Sequence, residues 1–600
     1  MNWADAETPQ SGCSAWSRNS FGCLSGPSLI KNGTFDPTST YGFGFQAHCS
    51  PFNRVESIPN RDQLASAPLI AILSIAVCKL ESLAFSLLFG CMAEPCESML
   101  LWTKRSKMHR LKTRAKNSGT IAFALAVFFL ASSATATAQE VRTFVSSKAG
   151  DRLTRKPSLR FEQYPKSSPV AVTIDDSTMH QTIDGFGASF LEAGLICLNS
   201  LPPEERESVL RALFDPEQGA GFSAMKTVIA STDFMSAGPF YSYDDVVGDV
   251  NMEHFSITRD LGPNGLIPFI KMARRYGKFV LQAPMDYPPD WMLFDVSTNQ
   301  DVNPKYYDAL ARYYLRYLQE YEKNDIFVDY LSLFNEPDIY TKIPYNEINL
   351  LLRDHVGPLL TKEHIRTRIM LSEAPYREDA ARNYPLVLDD PASRQYVSVA
   401  PYHGYDNKDW DKIQALHRKY PDLPLWMTEV CYAYDAGTPK SMPLPRFDFE
   451  DGDYWGNQIF NDLEVGTSAW IYWNMILDEK GGPWSVSEIH GNPDPNVQHP
   501  VVIIDRQSKR VTYTGLYYYL AHFSKFVRPG DVRIKSSNSP DGVRVMAFKR
   551  PDGKIVAELM NSKNDDVETS VRFHEQMLRV KLPAVSITTA IWNSVVKSNP

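Results

Sequence analysis

The sequence predicts an α/β protein, a (β/α)8 TIM barrel with an attached all-β sandwich domain built from both ends of the mature chain. Three observations carry that expectation. Strand-like and helix-like segments alternate eight times over about 290 residues, the count a closed (β/α)8 barrel requires. After Val502 the pattern changes to period two, punctuated by Pro-Asp-Gly turns. Beyond residue 138 only two of the eight cysteines remain, Cys197 and Cys431, so a large apolar core and not a disulfide framework must stabilise the fold.

The first 138 residues read differently from the rest. They carry 12 Lys+Arg against 8 Asp+Glu, a net +4, while the other 462 carry 50 against 62, a net −12. Lys104, Arg105, Lys107, Arg110, Lys112, Arg114 and Lys116 precede an uncharged run, Ile121 to Ala131, and then Ala136-Thr137-Ala138. A basic n-region, a short h-region and a small-residue cleavage site make a secretory signal. Residues 108–138 are therefore expected to be a signal peptide starting at Met108 and cut near Ala138. That makes the product secreted, periplasmic or extracellular. Residues 1–107 are expected to be an over-extended reading frame or a disordered N-terminal region. No integral membrane span is expected in the mature chain. The h-region is shorter than the roughly 20 residues a span needs, and Lys79 and Glu81 interrupt the apolar stretch Pro68–Ala93. An acidic body without a basic tract argues against nucleic acid as a partner.

The elements follow in order. Residues 139–164 are polar and read as a linker. Residues 165–180 begin the sandwich, with period-two alternation over Ser168–Ile174. Residues 181–502 form the barrel. Its strand-like runs are Gly185–Phe190, Phe222–Ser231, Phe279–Pro284, Tyr330–Glu336, Arg368–Glu373, Tyr396–His403, Pro424–Val430 and Ser468–Asn474. Helical stretches intervene at Pro203–Phe214, Pro304–Lys323, Tyr345–Leu360 and Tyr454–Val465. In the second of these Tyr307, Leu310, Tyr314, Tyr317 and Leu318 share one side at helical spacing. Residues 503–600 return to the sandwich, with turns at Pro540-Asp541-Gly542 and Pro551-Asp552-Gly553.

Catalytic groups of such barrels come from the C-terminal ends of the strands. Here those ends carry Glu336, Glu373, His403, Glu429 and Trp473-Asn474. Glu336 closes the fourth run in Asn335-Glu336-Pro337, and Glu429 closes the seventh. Two carboxylates facing one another across a barrel mouth suit retaining glycoside hydrolysis, in which one protonates the leaving oxygen and the other attacks the anomeric carbon. A glutamate ending an apolar strand would otherwise be a half-buried charge without an evident partner.

From about residue 170 onward the chain resembles glycoside hydrolase family 30, the glucosylceramidase-like retaining β-glycosidases. The matching pieces are Gly185-Phe186-Gly187-Ala188-Ser189-Phe190, Ser231-Thr232-Asp233-Phe234, Tyr241-Ser242-Tyr243, Asn335-Glu336-Pro337, His403-Gly404-Tyr405, Thr428-Glu429-Val430-Cys431, Trp473-Asn474, Gly481-Gly482-Pro483 and His522-Phe523-Ser524-Lys525-Phe526. The resemblance implies Glu336 as acid/base and Glu429 as nucleophile. It implies that Asn335 bonds the sugar 2-hydroxyl, that Asp233, Trp473 and Asn474 contact the non-reducing sugar, and that Tyr405 steadies the nucleophile. His403 reads as a hydrogen-bonding wall residue, since no second His or Cys lies at ligand spacing, and no metal is expected.

Two positions depart from the family. Lys226 stands where relatives often have Arg. Asp286, or Met285 depending on the gap, replaces a pocket tryptophan. Both Lys226 and Asp286 are expected to touch the sugar and so to set which glycone is held. No cofactor is expected, because Gly185-Phe186-Gly187 lacks the third glycine of a dinucleotide fingerprint and no phosphate-binding Gly-Lys-Ser/Thr loop exists. Gly187-Ala188-Ser189-Phe190-Leu191 lacks the closing glycine of a nucleophile elbow. The expected partner is a carbohydrate or glycolipid carrying a glucosylceramide-like, β-glucan or β-xylosyl linkage. A non-catalytic carbohydrate-binding or cell-surface protein on the same fold is the alternative.

Overall fold

The computed structural model describes residues 139–164, 172–232, 234–236, 240–294, 301–435, 448–483, 496–539 and 542–594. The expected leader over 1–138, Asp233 and the Pro540-Asp541 turn lie outside the described residues. Among those residues no helix is long and apolar enough to cross a membrane.

Eight parallel strands, numbered here one to eight, run Gly185–Ser189, Ala224–Lys226, Val280–Ala283, Tyr330–Ser332, Arg368–Met370, Val397–His403, Leu425–Glu429 and Thr467–Asn474. Each pairs with the next, and the eighth pairs with the first through Ala469 opposite Gly185, so the sheet closes into a barrel. Gly187 explains the glycine-rich first strand. A Cβ there would lie 2.0 Å from the Ala224 carbonyl oxygen, so only glycine allows the second strand to come this close. The barrel interior is filled from its N-terminal end by Ala224, Tyr330, Met370, Val399, Trp426, Ala469 and Ile471. Trp426 packs edge-on to Tyr330 with ring centroids 4.7 Å apart, and its Nε1 donates to Asp184 Oδ2 at 2.8 Å. With that end plugged, chemistry can reach the strands only at their C-terminal ends.

The outer helices match the expected amphipathic stretches. Helix Tyr307–Lys323 buries Tyr307, Leu310, Tyr314, Tyr317 and Leu318 as the spacing predicts. Helix Asp451–Glu464 buries Asp462, whose carboxylate accepts from Arg377 Nη2 at 2.8 Å, Tyr402 OH at 3.1 Å, Trp410 Nε1 at 3.0 Å and Trp470 Nε1 at 3.1 Å. A buried charge with this many donors is fully solvated by protein, and it ties the sixth and eighth strands to the helix layer.

The sandwich is built from both chain ends as expected, but its boundaries differ. Residues 139–164 are not a linker. Glu140–Ser147 pairs antiparallel with both Thr154–Arg160 and Ser586–Asn593, and Glu162–Gln163 pairs with Gln576–Leu582. The polar composition misleads because Thr154–Arg160 is a charged edge strand, the usual protection against strand addition. In Glu140–Ser147 the buried polar residues are satisfied internally, as where Ser146 Oγ accepts from Leu153 N at 2.8 Å. The sandwich core joins Val141 and Phe161 to Ile174, Ile534, Leu559, Phe573, Leu578 and Trp592.

The C-terminal boundary at 503 also moves. Val502–Ile504 and Val511–Tyr513 form a small sheet with Ile476–Asp478, and Gly515–Phe526 is a helix against the barrel. That helix is buried on nearly every side, so its sequence shows no polar face and hides its helical period. The sandwich proper resumes at Val532.

Candidate active site

The site forms where strands two and four to eight end. Strand four stops at Ser332, and the chain continues extended to Asn335, which bridges Glu373 beyond strand five. Asn335 N donates to the Met285 carbonyl at 2.8 Å, Glu336 N to the Glu373 carbonyl at 2.9 Å, and Glu373 N to the Phe334 carbonyl at 2.8 Å. These bonds hold Glu336 in the left-handed region at φ 43°, a conformation a non-glycine residue keeps only when its surroundings over-determine it. Glu429 ends strand seven, His403 ends strand six opposite it, and Lys226 ends strand two.

The side chains converge. Lys226 Nζ donates to Glu429 Oε2 at 2.6 Å, Asn335 Oδ1 at 2.9 Å and Glu373 Oε2 at 3.1 Å, so all three ammonium protons have acceptors. The same nitrogen lies 5.2 Å from the Trp473 ring centroid. Tyr405 OH donates to Glu429 Oε1 at 2.8 Å. His403 sits between two acids, with Nδ1 2.7 Å from Glu336 Oε1 and Nε2 3.1 Å from Glu373 Oε2. Thr428 Oγ1 adds a 2.6 Å bond to that Glu373 oxygen. Glu336 and Glu429 are only 5% and 4% exposed, which makes their local charges decisive.

Burial works against the charge on Lys226, but Glu373 and Glu429 outweigh it and hold the ammonium protonated. Burial would likewise neutralise Glu373. Lys226, His403 and Thr428 prevail and pull its carboxyl down to about 2. His403 loses by desolvation and gains more from Glu429, Glu336 and Glu373, reaching about 9. Glu336 moves the other way: burial, assisted by the Glu429 charge, raises its carboxyl against the pull of His403 and Lys226. The two strand-end acids thus have distinct surroundings, one inclined to hold a proton and one fastened between a cation and a phenol. One donor atom each from Glu336, His403 and Glu429 lie within 4.8 Å of one another, a grouping that could also hold a cation. Here Lys226 and His403 already supply positive charge to both acids.

Of the residues expected at the site, the structure brings together Glu336, Glu429, Asn335, His403, Tyr405, Lys226 and Trp473. Asp286 is buried after strand three, and its charge acts on Lys226. Asn474 is buried and its amide Nδ2 donates to Gln498, a residue the sequence did not single out. Asp233 lies outside the described residues. Glu373 stood among the strand-end candidates and Thr428 within a matching motif, but neither was given a role. The signal for Glu373 was present, since it ends an apolar run as Glu336 and Glu429 do.

A (β/α)8 barrel with a carboxylate pair at the ends of strands four and seven is the architecture of a glycoside hydrolase. Residues 183–527 match the Glycosyl hydrolase family 30 TIM-barrel domain, and residues 530–590 match the Glycosyl hydrolase family 30 beta sandwich domain. The provisionally named glucosylceramidase 2 of Caenorhabditis elegans is 30% identical over 448 residues, covering 70% of this chain and 82% of the relative. The endo-1,6-beta-D-glucanase of Neurospora crassa is 26% identical over 446 residues, covering 69% and 88%. Among solved structures, SrfJ from Salmonella typhimurium superposes with a TM-score of 0.68 at 22% identity, over 76% of this chain and 99% of that one. The chain belongs to glycosyl hydrolase family 30 and is a β-glycosidase.

Proposed function

We propose that this enzyme is a secreted retaining β-glycosidase that works by double displacement, with Glu429 as nucleophile and Glu336 as acid/base. The observation that carries the reading is the approach of the two acids. An oxygen of one lies within 4.8 Å of an oxygen of the other, a close approach of the kind that retaining enzymes use and that leaves little room for an interposed water. Glu429 attacks the anomeric carbon while Glu336 protonates the leaving oxygen. Glu336 then activates water to release the sugar from the glycosyl-enzyme. Lys226 and Tyr405 fix the two Glu429 oxygens, so little reorganisation is needed as charge moves.

The sugar is a neutral pyranose. Glu336, Glu373, Glu429 and Asp286 crowd the pocket against Lys226 and His403, which disfavours an anionic ring. Asp286 sets a buried charge where a tryptophan would offer a flat apolar face, so the preference departs from that of a typical glucosylceramidase toward a β-glucan or related oligosaccharide.

Glu429→Gln is expected to lower kcat on every substrate by about 10^4-fold or more. Glu336→Ala is expected to cost about 10^2–10^4-fold on poor leaving groups while sparing activated aryl glycosides. Proton NMR of the first-formed product should show the β-anomer; the α-anomer would sink the double displacement. Export rests on the basic and apolar leader and on the position of the first strand. It starts at Glu140, so a cut after Ala138 leaves the fold whole. Mass spectrometry of secreted protein should find Gln139 first, and a retained 1–107 segment would refute this.

A further inference from the structure

The carboxylate of Glu373 lies too deep to meet substrate, yet groups from three strands close on one of its oxygens. Oε2 accepts from Lys226 Nζ at 3.1 Å and Thr428 Oγ1 at 2.6 Å and lies 3.1 Å from His403 Nε2, while Oε1 has no hydrogen-bond partner among the described residues. A carboxylate that only filled space would share its donors between both oxygens. Here the donors converge on the point that faces the His403 ring.

We propose that Glu373 is a positioning residue that fixes the proton on His403 Nε2 and thereby makes His403 Nδ1 the proton store of Glu336. The inference rests on the reading of Glu336 as acid/base. An ionised Glu373 accepts and cannot donate, so Nε2 carries hydrogen in every state of the ring. Nδ1, 2.7 Å from Glu336 Oε1, then either accepts from a protonated Glu336 or donates to an ionised one. The pair holds one proton between them.

When the glycosidic bond breaks, that proton leaves Glu336 for the departing oxygen, the bonding electrons go with the oxygen, and Glu429 forms the new bond to carbon. A proton resting on His403 passes first to Glu336 and leaves the ring neutral. In the second half-reaction Glu336 takes a proton from water and returns it to Nδ1, and the water oxygen replaces Glu429 on the anomeric carbon.

Among the described residues, the charged and titratable groups around the pair are Lys226 from strand two, Asp286 after strand three, Tyr340 after strand four, Glu373 after strand five, Tyr405 after strand six, and Glu429 and Cys431 from strand seven. Glu373 is the one among them that bonds the ring nitrogen facing away from Glu336. Its negative charge favours retention of the shared proton, so removing the charge must release that proton at lower pH.

The test is Glu373→Gln in the full enzyme, with the pH profile of kcat/KM on a poor-leaving-group aryl β-glucoside. The alkaline limb should move down by about one pH unit or more, the scale of an opposite charge withdrawn at contact distance. A folded variant that kept the wild-type limb would overturn the proposal. Nitrogen-15 NMR of imidazole-labelled wild type decides independently of the variant's folding. The His403 signals, assigned by their loss in His403→Gln, should show Nε2 protonated from pH 5 to 10, with only Nδ1 titrating. An unprotonated Nε2 refutes the role of Glu373. If Glu336→Ala left poor-leaving-group hydrolysis intact, the acid/base reading would fall instead, with the NMR result unaffected.

Discussion

Lys226 shows how much one side chain decides at this site. Its ammonium is fully buried and donates to two carboxylates, so deleting the charge strands Glu373 and Glu429 with His403 as their nearest remaining cation. Breaking a buried pair from one side costs about 3–5 kcal/mol, because the partner charge stays buried. Lys226→Met is therefore expected to lose most activity and to melt well below wild type. Lys226→Arg keeps the charge and should retain more of both, at an overpacking cost of about 1–3 kcal/mol. Thermal melts with an aryl β-glucoside assay check this; a Met variant as stable as wild type would show that Lys226 carries no such weight. The sequence located Lys226 only as a departure from a family pattern. It could not show that the residue reaches Glu429, since that contact spans 203 positions and depends on barrel closure. Glu336 and Glu429 were legible because a charge ending an apolar strand is expensive without a purpose. Gln498 was not, because its strand is short and nothing in its neighbourhood marks it.

At the scale of elements, every barrel strand was legible, since eight apolar runs at regular spacing survive small errors at their ends. The misread elements share one physical cause: none shows the clear alternation of polar and apolar residues by which a half-buried element announces its period. Gly515–Phe526 is too apolar to show a helical face, and Glu140–Ser147 with Thr154–Arg160 is too polar to announce strands. The second misreading has a testable consequence. Glu140–Ser147 covers the long strand Ser586–Asn593, and Phe144 packs on Phe526 at 4.6 Å between centroids. A chain started at residue 165, as the linker reading would license, bares the edge of a strand whose residues are buried from Ser586 to Trp592. That edge is a template for association. The truncated enzyme should aggregate or melt at least about 5 °C lower, whereas one started at Gln139 should match the mature protein. Equal melting of the two would mean the N-terminal strands add nothing.

The whole molecule sums these charges into a pH dependence of stability. Glu373 has its carboxyl depressed to about 2 from 4.5, so its contribution is present above pH 4.5 and is lost as pH falls toward 2. His403 is raised to about 9 from 6.5, so its contribution is complete below pH 6.5 and is lost as pH rises through 9. Two further buried acids narrow the window from above. Desolvation lifts Asp260, although Tyr243 and Tyr321 donate to it, and it also lifts Asp531. Both reach about 6 from 3.8, so each favours the fold at low pH and ceases to as pH passes 6. Each pH unit of displacement is worth about 1.4 kcal/mol in linkage. The acid limit therefore comes from Glu373 with Asp176, the loss between about pH 3.8 and 6 from Asp260 and Asp531 with Asp244 and Asp301, and the alkaline loss from His403. Melting temperature should peak at about pH 4–4.5, fall first toward pH 6 and decline further toward pH 9. Scanning calorimetry across pH 3–9 at constant ionic strength tests this, and a maximum above pH 7.5 would contradict it. His403→Gln should flatten the decline between pH 6.5 and 9 while leaving the loss between about pH 3.8 and 6 in place, because that loss belongs to Asp260, Asp531, Asp244 and Asp301.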